Sequence, residues 1–388
     1  MIKIAILTYG ESGKVLYRQN LPFEYIKRTH PEFNIQFFRN VPQSDQFATA
    51  IVNEFDVIIL SGHNSNTPRA FFTILKAAKD RGKISIYDVD DLDWEIPKEN
   101  PVQATFKTLK VPEQVIECMK SALIITTPSR YLANLISEFN KNVKIFPNAL
   151  DYEYYYWNLP KIEDGWIRIG FVGGSSHLFD LKLIEGLGSW ILETFPNTKF
   201  LLGGYDTRIA STKQGSMNLL SWADDERCIW EHYKKVLFKS NVDWDRVEIV
   251  PTRKIDIYPM VFKDVDILLA PLINNKFNLS KSDLKALEAS ARHIPIITSD
   301  IKTYSDIIIN SINGYLASNI NDWKKHITRL IKDKELRIRI GNRLYEDMKK
   351  EHNIKLQAEK RIELIKNVYK QLYKKRKEFE FRFGRYAK

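Results

Sequence analysis

Ile167-Arg-Ile-Gly-Phe-Val-Gly-Gly174 reads as a buried β-strand running into a glycine turn, and it stands near the middle of the chain. The amino terminus has the same form: Ile2 to Leu7 is a near-continuous apolar run, and Gly10 and Gly13 follow it. Strands covered on both faces read as unbroken runs of this kind, so one parallel sheet begins at the amino terminus and a second begins at Ile167. Working outward, Asp56-Val-Ile-Ile-Leu-Ser61, Ile84-Ser-Ile-Tyr87 and Ala122-Leu-Ile-Ile-Thr126 extend the first sheet. Lys199-Phe-Leu-Leu-Gly-Gly204, Val247-Glu-Ile-Val250, Val265-Asp-Ile-Leu-Leu-Ala-Pro271 and Pro295-Ile-Ile-Thr298 extend the second. Amphipathic stretches such as Thr67 to Lys79 supply covering helices. Trp157 to Gly165, with Pro160, is the linker, and the chain past Trp323 is helical to its end. The expected architecture is α/β: two parallel-sheet domains, 1–155 and 156–345, face each other across a cleft, and a basic helical segment covers 346–388. Tyr205 to Asp245, rich in Trp, Lys and Asp, carries no clear pattern.

A chain of 388 residues fits about two domains at ~100–200 residues each. With 44% hydrophobic residues, 16 glycines and 15 prolines, it is neither disordered nor collagen-like. Cys118 and Cys228 are too far apart for a metal knuckle or a disulfide framework, which fits a reducing compartment. No apolar run approaches the ~20 residues of a membrane span, and the first residues lack the form of a signal peptide, so a cytoplasmic protein is expected. The net charge of +11 is concentrated at one end. Residues 1–331 are nearly neutral, whereas 332–388 hold 19 Lys and Arg against 9 Asp and Glu, densest at Lys374-Lys-Arg-Lys377. That distribution argues against a domain-wide basic face on DNA. The tail is either a solvated helix end or a surface for a polyanion or an anionic membrane, where each basic residue contributes ~1 kcal/mol.

Phe277-Asn-Leu-Ser-Lys-Ser-Asp-Leu-Lys-Ala-Leu-Glu288 carries the most chemistry. Ser280 and Asp283 form an S-x-x-D capping box, which predicts a helix starting at Lys281. On that helix Lys281, Lys285 and Glu288 share one face over roughly 10 Å. A helix start with two lysines suits a diphosphate, and the carboxylate beyond can accept both hydroxyls of a ribose. The same spacing equally describes an exposed stripe with an ion pair. Gly173 and Gly174 either make a tight turn or let backbone approach a phosphate; Gly10 and Gly13 read as a tight turn. Neither turn has the dinucleotide spacing or a P-loop lysine. His177 and Asp180 follow the second turn, as ligand contacts or as the cap of a helix start, and His63 lies on a loop facing the cleft. Asp88, Asp90, Asp91 and Asp93 form the densest acid cluster. They can take part in catalysis, cap a helix, or, as Asp88-Val-Asp90, hold a hard cation with a diphosphate.

Ala270 to Ala291, with Ile294-Pro-Ile-Ile-Thr-Ser-Asp300, Tyr304 and Asn313-Gly314, resembles the donor-binding region of retaining glycosyltransferases of the GT-B fold, family-4-like. Tyr87-Asp-Val-Asp-Asp-Leu92, Thr127-Pro-Ser129 and Val143 to Asn148 extend the resemblance over most of the chain. It implies two Rossmann-like domains, the first for the acceptor and the second for the nucleotide-sugar donor, with the carboxy-terminal helix packing back on the first. In that family the glutamate aligned with Glu288 binds the nucleotide ribose, and basic side chains hold the diphosphate. This chain departs twice. Ser280 stands where a second glutamate usually contacts the sugar, and Gly174-Ser-Ser-His-Leu-Phe-Asp180 stands where an Arg and a Lys usually follow the first strand of the donor domain. Lys281 and Lys285 are the expected replacements for that charge. No nucleophile is evident, in keeping with the front-face mechanism proposed for the family.

The resemblance thus implies a retaining, metal-independent glycosyltransferase with Lys281, Asp90, Asp91 and His177 as catalytic candidates. Gly173, Gly174, Ser280, Lys281, Lys285 and Glu288 are the donor-binding candidates. The donor substrate is a nucleotide-diphosphate sugar, with no tightly bound cofactor, and the acceptor is a glycan, a lipid-linked or another hydroxyl compound in surface glycan or glycoconjugate synthesis. The basic carboxy terminus is expected to touch the anionic inner membrane face. Competing readings are a transferase acting on hydroxylated bases of DNA and a non-catalytic nucleotide-sugar-binding relative that tolerates Ser280. An epimerase or dehydrogenase would need a dinucleotide fingerprint, and no supporting one is present.

Overall fold

The computed structural model describes residues 1–9, 13–39, 41–61, 68–100, 102–204, 229–239, 241–250 and 253–383. Gly10, His63, Cys228 and most of the unpatterned 205–245 stretch lie outside the described residues. The amino-terminal half contains β1 (Ile2–Thr8), β2 (Phe33–Arg39), β3 (Val57–Ser61), β4 (Ile84–Asp88), β5 (Ile124–Thr127) and β6 (Val143–Ile145). They pair in parallel in the order β2-β1-β3-β4-β5-β6. The second half contains β7 (Ile167–Val172), β8 (Thr198–Gly203), β9 (Val247–Val250), β10 (Ile267–Ala270), β11 (Ile296–Ser299) and β12 (Tyr315–Ala317), paired in parallel in the order β12-β11-β10-β7-β8-β9. Every residue of β3, β4, β5, β7, β10 and β11 is buried, which is why these strands read as apolar runs. The three strands that the apolar runs do not reveal, β2, β6 and β12, are sheet edges. β2 has mixed burial, and β12 has only three residues.

The strand orders place the ligand crevices. In the first sheet the chain adds β2 on one side of β1 and then returns to add β3 on the other; in the second it does the same around β7, with β8 and then β10. Such reversals open a crevice beyond the strand carboxyl ends, where open α/β sheets bind ligands. The segments there are Gly13 to Arg18 after β1, Gly173 to Asp180 after β7, and Pro271 to Glu288 after β10.

The chain crosses between the halves twice, and the crossings are stapled together. The Leu150 N–H donates to the His352 carbonyl (2.9 Å), and the Ile354 N–H donates to the Leu150 carbonyl (3.0 Å). Trp157 is buried, with its ring 5.7 Å from that of Phe262, so the expected linker starts inside the core of the second half. After Trp323 the helical end is divided among Ile320–Lys332, Lys334–His352 and Ile354–Phe383. Asp333 breaks the first from the second by capping it, its Oδ1 accepting from the Leu336 N–H at 2.8 Å. The last helix returns to the first sheet, where Ala358, Ile362 and Ile365 join a core with Ile4, Ile6, Phe23 and Ile35. Among the described residues, no helix is long and apolar enough to cross a membrane.

Candidate active site between the sheets

Lys276 to Ala291 folds as two short helices, which corrects the predicted start at Lys281. Asn275 caps the first, Lys276–Ser280, its Oδ1 accepting from the Asn278 N–H at 2.8 Å. Asn is at least as good an N-cap as Ser, so the helix begins early and has ended by Lys281, whose backbone is extended (φ −64°, ψ 159°). The second helix, Leu284–Ala291, has Asp283 at its N-cap. The Ser280–Asp283 capping box therefore does not form. Ser280 is fully buried and its hydroxyl donates to the Lys276 carbonyl one turn back (2.8 Å), so its side chain offers nothing to the cleft. Lys281 does not share a helix face with Lys285 and Glu288. Its Nζ lies 4.5 Å from the centre of the Phe277 ring and reaches Asp91 Oδ1 of the first half at 3.7 Å.

Glu288 is only 1% exposed. The expected ion pair with Lys285 is made, Nζ donating to Oε2 at 2.8 Å, but inside the molecule rather than on an exposed stripe. Oε1 accepts from the hydroxyl of Tyr17 (3.2 Å), which comes from the first half. Burial and then the charge of Glu288 raise the Tyr17 hydroxyl well above its ordinary pKa, so it remains a donor.

The turn after β7 is tied to the loop after β10. His177 Nδ1 is 2.9 Å from Asp180 Oδ2. Asp180 Oδ1 accepts from the Ile273 N–H (2.9 Å) and from Asn278 Nδ2 (2.8 Å). Burial lowers the pKa of His177 below its ordinary value, opposed by Asp180 and reinforced by Lys281 and Lys285. Packing accounts for Gly173: a Cβ there would lie 2.8 Å from the Phe171 ring, and one on Gly204 (φ +134°) would meet the Gly173 carbonyl oxygen at 2.2 Å. The Gly174 carbonyl accepts from the Tyr233 hydroxyl.

The acid cluster divides. Asp88, the last residue of β4, is buried and gripped by Arg18, Nε to Oδ2 at 2.8 Å and Nη2 to Oδ1 at 2.6 Å; Thr126 (2.5 Å) and Ser61 (3.3 Å) also donate to it. Arg18, Thr126 and Ser61 thus engage its two oxygens inside the first half, so the cation-binding reading of Asp88-Val-Asp90 is not supported by its first member. Asp90 pairs with Lys14 (3.3 Å), and burial with Asp91 and Asp93 pushes its pKa up to about 6 against that lysine. Among the described residues, no group of three or more His, Cys, Asp or Glu is arranged to hold a metal ion. Lys14 and Tyr17 are absent from the sequence candidates. Their signal is position: they follow the first glycine turn as His177 follows the second.

Two open volumes flank this centre. One of about 530 Å³ is lined by Tyr17, Arg39, Tyr154, Trp157, Lys254 and Asp256. The other, about 640 Å³, is lined by Glu95, Lys98, Ser176, Phe179, Asp180 and Lys276. A buried junction also joins the halves: Asn148 Nδ2 donates to Ser282 Oγ (3.0 Å), and His352 bridges the Asn148 carbonyl (2.9 Å) and Asp283 Oδ2 (3.1 Å).

Residues 259–347, which include Lys281, Lys285 and Glu288, match the family described as glycosyl transferases group 1. A stretch of 145 residues, 36% of the chain, is 28% identical to an uncharacterized glycosyltransferase of Methanocaldococcus jannaschii and covers 38% of that relative's length. The sucrose-phosphate synthase of Thermosynechococcus elongatus superposes with a TM-score of 0.66 at 13% identity, over 96% of this chain and 100% of that one. Anabaena HepE in complex with UDP-glucose superposes with a TM-score of 0.62 at 13% identity, over 94% and 99%. These two likenesses concern the fold, two parallel sheets across a cleft. That fold is the two-domain GT-B architecture, and the match to glycosyl transferases group 1 covers the segment of the second half that carries Glu288.

Proposed function

We propose that the protein transfers a sugar from a nucleotide-diphosphate sugar to a hydroxyl acceptor with retention, without a tightly bound cofactor or a required metal. The observation that carries this reading is the buried Glu288 carboxylate at the crevice of the second sheet, with Lys285 on it and Lys281 facing the first half. In this reading 1–155 is the acceptor domain and 156–345 the donor domain. Glu288 accepts the ribose hydroxyls, and the nucleoside extends into the 530 Å³ volume, where the rings of Tyr154 and Trp157 offer apolar surface. Lys281 and Lys285 hold the diphosphate, with Gly174 and His177 beside it. Asp283 places a carboxylate at the start of the second helix, so the helix end contributes less than the lysines do. As the bond from sugar carbon to diphosphate oxygen breaks, its electron pair goes to that oxygen, and the two ammonium groups stabilise the charge. The acceptor oxygen then bonds the same face of the sugar, and its proton passes to the departing diphosphate oxygen. Acceptors enter from the 640 Å³ volume, with Asp90 and Asp91 taking hydrogen bonds from their hydroxyls. The role is in surface glycan or glycoconjugate synthesis at the inner membrane face, where residues 366–388, with nine Lys and Arg against two acids, meet anionic lipid.

The test is thermal unfolding of the wild type and Glu288→Ala with UDP, GDP, ADP, CMP and TDP and their sugars, UDP-glucose first. A ligand at 100 times its Kd stabilises by ~2.7 kcal/mol. The expected result is a shift with one nucleotide that is lost in the variant, followed by turnover with its sugar. If no nucleotide shifts the wild type, donor binding is refuted. Binding without turnover favours the non-catalytic relative.

A further inference from the structure

Both carboxylate oxygens of Glu288 already accept a hydrogen bond. Lys285 takes Oε2, and Tyr17 takes Oε1 from across the cleft, 271 positions away in sequence. Tyr17, like Glu288, is 1% exposed, so the bond is shielded from water. Its segment is also held firmly. Tyr17 lies in the π-helical turn Leu16–Asn20, a rare geometry that is frequent at functional sites. Its carbonyl accepts from the Ala149 N–H (2.9 Å), and its neighbour Arg18 is locked onto Asp88 and onto the Phe146 carbonyl (2.7 Å). The same side chain lines the 530 Å³ volume. The first half thus presents a hydroxyl donor to the carboxylate that the donor reading assigns to the ribose.

We propose that Tyr17 is a positioning residue that takes the place of a ribose hydroxyl on Glu288 when the site is empty, so that an arriving nucleotide must displace it. The inference rests on the donor reading. A ribose diol and the Tyr17 hydroxyl are the same kind of O–H donor, and both seek the one carboxylate oxygen that Lys285 leaves. Their competition scales the affinity for nucleotide by the fraction of molecules in which Tyr17 has left Glu288. It also gives the spent nucleotide a route out: once the sugar has left, Tyr17 recaptures Glu288. Tyr17 therefore favours product release rather than donor retention.

Tyr17→Phe keeps the ring in the core and removes only the competing hydroxyl. UDP, and in parallel GDP, ADP, CMP and TDP, are titrated by calorimetry into the wild type, Tyr17→Phe, Glu288→Gln and the double variant. The expected result is binding about tenfold tighter in Tyr17→Phe, the scale of one hydrogen bond to a charged group. Product inhibition by the same nucleotide strengthens in parallel. In the Glu288→Gln background the gain disappears, because the competed-for carboxylate is gone. A merely structural hydroxyl would lower the unfolding temperature and leave binding unchanged or weaker. Unchanged or weaker binding in Tyr17→Phe, with Glu288→Gln weakened, overturns the role of Tyr17 and leaves the donor reading standing. Wild-type binding in Glu288→Gln, or no nucleotide bound by the wild type, overturns the donor reading itself.

Discussion

Asp88 and Asp91 stand three residues apart and each meets a cation, yet the two pairs do different work. Asp88 and Arg18 have side chains 3% and 1% exposed, share two hydrogen bonds and lie wholly within the first half. Asp91 and Lys281 are 31% and 17% exposed, approach no closer than 3.7 Å, and belong to opposite halves. The first arrangement has no capacity left for a substrate, and opening it strands a charge in the interior. The second is loose enough to exchange partners with a ligand. A cluster of acids at a strand end is therefore not one site: the residue that ends β4 builds the scaffold, and those just beyond it face the cleft.

The contrast breaks most visibly at Asp88. Asp88→Ala leaves the Arg18 guanidinium buried without its counter-charge, and the expected loss is about 3–5 kcal/mol, read from the urea midpoint. Arg361, buried nearby and already lowered to about 9 by burial and by Arg18, adds to the uncompensated charge. A loss below about 1 kcal/mol would put this pair in the same class as Asp91–Lys281. Lys281→Ala should do the reverse, lowering turnover by ~10²-fold, the scale for one preorganised charge stabiliser, while moving stability by less than about 1 kcal/mol. Near-normal turnover removes Lys281 from the site.

What the sequence makes legible follows the same division. Ile2 to Thr8 and Ile167 to Val172 announce themselves because both faces of each strand are covered over most of its length, so the apolar run is broken only by Lys3 in the first and Arg168 in the second before it ends. Phe33 to Arg39 does not, because an edge strand alternates with solvent. Lys285 and Glu288 are readable as a pair because one turn of helix joins them. Lys281 is placed correctly near them but on the wrong element, since Asn275 caps a helix that the Ser280 signal conceals. Tyr17 meets Glu288 only through the docking of the two halves, and Asp88 is separated from Asp90 by a burial difference that spacing along the chain does not encode.

Between these extremes lies the junction at His352. Burial would lower the His352 pKa, but Asp283 outweighs it and the pKa is raised; Asp283 in turn is held low by His352 against its own burial. The contribution of a raised histidine is complete below its unfolded pKa of ~6.5 and is lost as pH rises through the folded one. That of a lowered aspartate is present above ~3.9 and lost as pH falls through its folded value. The clasp is thus strongest between about pH 4 and 6.5. His352→Gln should cost about 1–3 kcal/mol at pH 6, and the gap to wild type should narrow at pH 9. An equal gap at both values would show that packing rather than charge holds the halves here.

The smallest effect sharpens the comparison within the acid cluster itself, because Asp88 and Asp90 titrate in opposite directions. Against burial, Arg18 and Thr126 hold Asp88 below the ordinary carboxylate range, whereas burial, Asp91 and Asp93 push Asp90 up to about 6 against Lys14. A carboxyl raised in the folded state binds its proton more tightly than in the unfolded chain. Its part of the stability therefore falls as pH rises from about 4 to 6, opposite to the part from Asp88. If Asp90 accepts a hydrogen bond from the acceptor hydroxyl, the bond is strongest when the carboxylate is ionised, and turnover should fall on the acid side with a midpoint near pH 6. Asp90→Asn should reduce turnover modestly at pH 7.5 and abolish that acid limb, while Asp91→Asn keeps it. A limb that persists in Asp90→Asn belongs to another group, and Asp90 would then serve only to hold Lys14 in place.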